Sequence, residues 1–118
     1  KMVNQICIAG LIQALAEGIH FSRKAGLKTA DVMGVITKGA AQSWQMENRW
    51  ETMLNDEYDF GFAVDLMRKD LDIVLKQAKK MDTELEITDL VNSFYKEIQK
   101  LGGGRWDTSS LLKRIQEK

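Results

Sequence analysis

The chain is 118 residues long, with 17 Lys plus Arg balanced by 17 Asp plus Glu, one histidine and one cysteine. This length suits one domain with a substantial core and is too short for a cofactor domain joined to a substrate domain. The charge balance offers no net field to nucleic acid or to an anionic membrane, and one cysteine with one histidine builds neither a disulfide nor a zinc site, so no nucleic acid, membrane or metal is expected as a partner.

Helical period runs along the whole chain and strand alternation is absent. From Met2 to about Ala25 the sequence is apolar nearly all round (Val3, Ile6, Cys7, Ile8, Leu11, Ile12, Leu15, Ile19), which predicts the central helix of a bundle with Cys7 as a small core residue. The longest apolar run, Ile6 to Ile12, falls short of a membrane span, and no secretory leader pattern precedes it. A soluble, cytoplasmic domain is expected. Gly10, Ala14 and Gly18 recur at four-residue spacing and predict close approach of a neighbouring helix; Gly26 is the expected stop. The start inside a helical pattern, with no methionine and no cap, reads as a cut from a longer polypeptide.

Thr29 is the expected N-cap of a short helix ending at Lys38-Gly39, and Ser43 that of the next, Trp44 to about Leu54. Asn55 to Asp59 has turn chemistry. A long helix is predicted from Phe62 to about Met81 and another from Thr88 to Leu101. Gly102-Gly103-Gly104 breaks the chain before a last helix beginning at Thr108 or Ser109. Five or six helices with short connections make an all-α multi-helix bundle, a single domain over residues 1–118.

Two places carry candidate chemistry. In the long helix, Val64, Met67, Leu71, Val74, Ala78 and Met81 form the core stripe, while Phe62, Leu66 and Ile73 form a second one with Lys69 in its middle. Lys69 either pairs with Asp65, four residues earlier, and reaches water, or points at whatever covers that second face. At the start of the chain, Lys1 and Asn4 share one helical face. They are either a solvated end or an ammonium that donates a proton to a carbonyl oxygen, beside an amide that orients it. A lysine amine is a weak general base near neutral pH unless burial or a second cation lowers its proton affinity; Lys69 would be that cation if the two faces converge.

Lys1-Met2-Val3-Asn4-Gln5, Ala16-Glu17-Gly18, Lys24-Ala25-Gly26-Leu27, Gly39 to Trp44, and Gly61-Phe62-Ala63-Val64-Asp65-Leu66-Met67-Arg68-Lys69-Asp70-Leu71 together resemble the β-hydroxyacid dehydrogenase family. That family includes 3-hydroxyisobutyrate dehydrogenase and tartronate semialdehyde reductase, and the similarity runs in order over essentially the whole chain. It implies the family's C-terminal all-helical domain, related to that of 6-phosphogluconate dehydrogenase, with the N-terminal Rossmann domain outside this chain. By the same resemblance Lys1 is the catalytic proton donor and acceptor, Asn4 orients substrate, Trp44 stands near the substrate pocket, and Lys69 reaches across the interdomain cleft to NAD or NADP. Gln5 departs from a second asparagine common in the family.

The resemblance further implies a β-hydroxy acid or semialdehyde substrate, a homodimer or homotetramer formed through this domain, and no activity from the domain alone. Trp50 or Trp106 would serve the subunit contact if exposed and the core if not. Three alternatives stay open: a family member without catalysis, an imine-reductase relative, and a free-standing helical interaction module. The retained Lys1 argues against the first two.

Overall fold

The computed structural model describes residues 1–118 and contains six α-helices and one short 3-10 turn. Helix α1 (Met2–Lys24) is the axis of the bundle and packs against every other helix. It buries Ala9, Ile12, Leu15, Ala16 and Ile19, spaced three and four apart as one face of a helix requires. The opposite face is open: Val3, Cys7, Ala14, Gly18 and Phe21 are exposed, so Cys7 is a surface thiol rather than the core residue expected. The partner helices leave this face of α1 uncovered. By length and composition α1 is also apolar enough to cross a membrane, a property that counting uninterrupted apolar runs misses; here its buried face serves the core of the bundle.

Gly26, at φ 76°, closes α1. In α2 (Thr29–Ile36) the N-cap position belongs to Lys28, not Thr29. Thr29 is buried with its hydroxyl 3.3 Å from that of Ser22, so it ties α2 to the end of α1 instead of capping its own helix. Helix α3 (Trp44–Leu54) begins as expected, with the Ser43 hydroxyl accepting from the Met46 amide at 3.0 Å.

Helix α4 (Val64–Lys80) starts two residues after Phe62 because Phe62 and Ala63 are tied to a later segment, with Ala63 in extended backbone at the N-cap. Ala63 forms an antiparallel bridge with Asp107, the Val64 amide donates to the Trp106 carbonyl at 2.8 Å, and the Thr108 amide donates to Phe62 at 3.0 Å. The core stripe Val64, Met67, Leu71, Val74 and Ala78 is buried as predicted, whereas Met81, past the helix end, is 61% exposed. Helix α5 (Glu86–Lys100) begins at Glu86 rather than Thr88 and buries Val91, Tyr95 and Ile98.

The triple glycine does more than break the chain. Gly102 adopts φ 87°, the Trp106 ring occupies the place of a Gly103 Cβ, and the Asp65 carboxylate occupies that of Gly104. After the 3-10 turn Thr108–Ser110, helix α6 (Leu111–Gln116) presses Leu111 and Leu112 into the core. Arg114 braces α6 on α5 by lying over the Phe94 ring and donating to Glu97 at 2.7 Å. Trp50 and Trp106 are half-buried against the core, which assigns them to packing.

Candidate active site

The start of α1 meets the middle of α4, and the polar side chains at this junction form one connected chain of hydrogen bonds. Lys1 Nζ lies 3.2 Å from both carboxylate oxygens of Asp70. Gln5 Nε2 donates to Asp70 Oδ2 at 2.8 Å, and Asn4 Nδ2 donates to Gln5 Oε1 at 3.0 Å. Lys1 and Gln5 are four residues apart, so they stand one above the other on the face of α1 that looks at α4. Asp70 sits between the core residues Met67 and Leu71, which leaves its side chain 15% exposed; that of Lys1 is 70% exposed. The ammonium is thus held at its inner side and open at its outer side.

Of the residues singled out from sequence, Lys1 and Asn4 are brought together, though through Gln5 and Asp70 and not by direct contact. Lys69 is placed differently. It does not pair with Asp65, which accepts from Gln99 Nε2 at 2.8 Å. It makes no hydrogen bond or ion pair in the chain, and stands exposed between the exposed Leu66 and Ile73. The group against Lys1 is therefore a carboxylate and not the second cation considered above. Asp70, adjacent to Lys69 but turned about 100° away on the helix, faces α1 while Lys69 faces outward.

Trp44 belongs to another network. Its ring, 60% exposed, lies 4.9 Å from the Arg49 guanidinium, which is also 4.8 Å from the Phe60 ring. Arg49 in turn approaches the buried Asp107. Gln5 and Asp70 are the two residues of the junction that sequence reasoning did not select for a role. Their signal was available: an amide four residues after Lys1, and an acid bordering a core stripe where only apolar neighbours are expected.

A helical domain that carries an open ammonium anchored by a half-buried carboxylate at the crossing of two helices has the parts of a proton-transfer site. Comparison with known proteins gives its lineage. Residues 1–115 match the family described as NAD-binding of NADP-dependent 3-hydroxyisobutyrate dehydrogenase, and the chain belongs to that family. An uncharacterized oxidoreductase of Shewanella frigidimarina is 59% identical over 99% of the chain and 40% of the relative's own length. The 2-hydroxy-3-oxopropionate reductase of Escherichia coli is 30% identical over 98% of the chain and 40% of its own length. Among solved structures, 3-hydroxyisobutyrate dehydrogenase from Salmonella typhimurium superposes with a TM-score of 0.85 at 30% identity, over 96% of this chain and 40% of that one. The chain thus spans about 40% of the length of the proteins it matches.

Proposed function

We propose that this chain is the C-terminal helical domain, akin to that of 6-phosphogluconate dehydrogenase, of an NAD(P)-dependent oxidoreductase that interconverts a β-hydroxy acid and its semialdehyde. Lys1 is the proton donor and acceptor. The observation that carries this reading is the Lys1 ammonium fixed by Asp70 on one side and open on the other. Membership of the family and the names of its oxidoreductase relatives support it.

The nicotinamide cofactor, when bound, gives or takes hydride at the substrate carbon. The residues present suit it in one respect: Lys69, without a partner in the chain and flanked by exposed Leu66 and Ile73, is a cation on an uncovered apolar face. A charge of that kind matches the anionic groups of a dinucleotide delivered by an N-terminal Rossmann domain. In the reducing direction a proton passes from Lys1 Nζ to the carbonyl oxygen as the oxygen gains negative charge, and the amine left behind is reprotonated from solvent. In the oxidising direction the neutral amine takes the hydroxyl proton. Before transfer, the ammonium stabilises the developing oxyanion. Asn4 orients the substrate beside Lys1, and Trp44 lies toward the substrate side. The protein acts in the cytoplasm as a homodimer or homotetramer, and the domain alone is inactive.

The test is activity of the full-length protein on a panel of β-hydroxy acids and semialdehydes with each nicotinamide cofactor, beside the Lys1→Ala variant. Loss of turnover by about two orders of magnitude or more is expected. A loss under about threefold would remove Lys1 from the mechanism, and a wild type inactive on every member of the panel would favour a binding role.

A further inference from the structure

The Asn4–Gln5–Asp70–Lys1 chain has a fixed polarity. Asp70 is an acceptor only, so the Gln5 group facing it at 2.8 Å must be the NH2. That turns Gln5 Oε1 toward Asn4, and the Asn4 group that meets it at 3.0 Å must in turn be an NH2. One buried residue, Gln5 at 5% exposure, therefore sets three others: it holds Asp70, through Asp70 it places the Lys1 ammonium, and it leaves Asn4 Oδ1 as an acceptor turned away from the chain.

We propose that Gln5 is a positioning residue that places Lys1 through Asp70 and orients the Asn4 amide, so that the site presents one cation and one neutral acceptor. This rests on the reading of Lys1 as the proton donor. The consequence for substrate is definite: Asn4 meets a group that donates a hydrogen bond, such as a hydroxyl, while Lys1 meets the oxygen whose protonation changes. Packing alone does not call for this arrangement, since a leucine of similar volume would fill the Gln5 site without a polar group to satisfy.

The experiment uses the full-length protein with Gln5→Leu, Gln5→Asn and Asp70→Asn, and reads two quantities. The first is kcat and KM separately. Gln5→Leu and Asp70→Asn are expected to lower kcat by about 10- to 100-fold, the cost of a misplaced reacting group, with KM changed less than about threefold. Gln5→Asn, which restores a donor, recovers part of that loss. The second is the rate of trace acetylation of Lys1 relative to Lys69, followed by mass spectrometry, which needs no turnover. Release of the ammonium from Asp70 raises labelling at Lys1 in Gln5→Leu and Asp70→Asn and leaves Lys69 unchanged. Wild-type kcat and unchanged Lys1 labelling in Gln5→Leu would overturn the proposal. If the wild type is inactive, the dehydrogenase reading fails, and labelling alone still decides whether Gln5 and Asp70 hold Lys1. Asp70→Asn carries both readouts should Gln5→Leu not fold.

Discussion

Arg49 Nε stands 3.3 Å from Asp107 Oδ2, as an ion pair and not as an aligned hydrogen bond, and this contact ties α3 to the segment that precedes α6. Asp107 is 1% exposed and also accepts from the Phe62 amide at 2.9 Å and the Ser109 amide at 3.1 Å. The carboxylate therefore fixes two backbone amides, and Arg49 supplies the charge that makes its burial tolerable. Arg49→Met should cost about 3 kcal/mol, as a buried charge is left without its counterion. Urea unfolding measures it; a cost below about 1 kcal/mol would mean that the amide donors alone suffice.

Glycine substitutions should act with opposite signs. Gly61 sits at φ 72° and a Cβ there would overlap the Asp107 carboxylate, so Gly61→Ala should cost at least about 2 kcal/mol. Gly18, inside α1, has nothing within 4 Å of where its Cβ would stand. Gly18→Ala should therefore gain about 0.5–1 kcal/mol from helix propensity. Thermal melts of the two variants separate the cases, and equal shifts would refute the distinction.

Much of the fold was legible because helix periodicity and punctuation agree. Ser43 caps α3, Gly26 ends α1, and the stripe from Val64 to Ala78 is the core. The errors have a common cause, which is that one residue's partner lies far away in sequence. Thr29 looked like a cap until Ser22 claimed its hydroxyl, and Asp65 looked like a partner for Lys69 until Gln99 occupied it. Phe62 fits the helical stripe but is kept out of the helix by its bonds to the segment near Asp107. The site divides in the same way. Lys1, Asn4 and Lys69 were singled out through resemblance, while the contacts of Gln5 and Asp70 depend on where α1 crosses α4, which periodicity does not specify.

Alkaline pH should unfold the chain through its two tyrosines. Burial, with Asp56 near Tyr58 and Asp107 near Tyr95, pushes both phenols well above their ordinary value. Each folded-state value exceeds the unfolded one of about 10, so the unfolded chain loses protons first as pH rises. Stability is then full below about pH 10 and falls above it, by about 1.4 kcal/mol per pH unit for each tyrosine. Tyrosinate absorbance and far-ultraviolet circular dichroism should change together. Phenol ionisation in a chain that keeps its helices would contradict this.

Lys69 separates a structural role from a functional one. Because it has no partner in the chain, Lys69→Ala should change stability by less than about 0.5 kcal/mol. If it meets the cofactor, the same variant of the full-length protein should bind NAD(P)H about 5- to 10-fold more weakly, the scale of one exposed charge-assisted contact. Fluorescence titration with the reduced cofactor checks it, and unchanged affinity would leave Lys69 with no cofactor role.

The open face of α1 bears on assembly. Val3, Cys7, Ala14, Gly18 and Phe21 fall within about 60° of one another on the helix, and no part of this chain covers them. A long apolar face of that kind is stable in water only when something sits on it. A second copy of the protein is the expected occupant, so Phe21→Glu should shift the full-length protein toward monomer in sedimentation at micromolar concentration. A monomeric wild type would assign the face to the remainder of the same polypeptide.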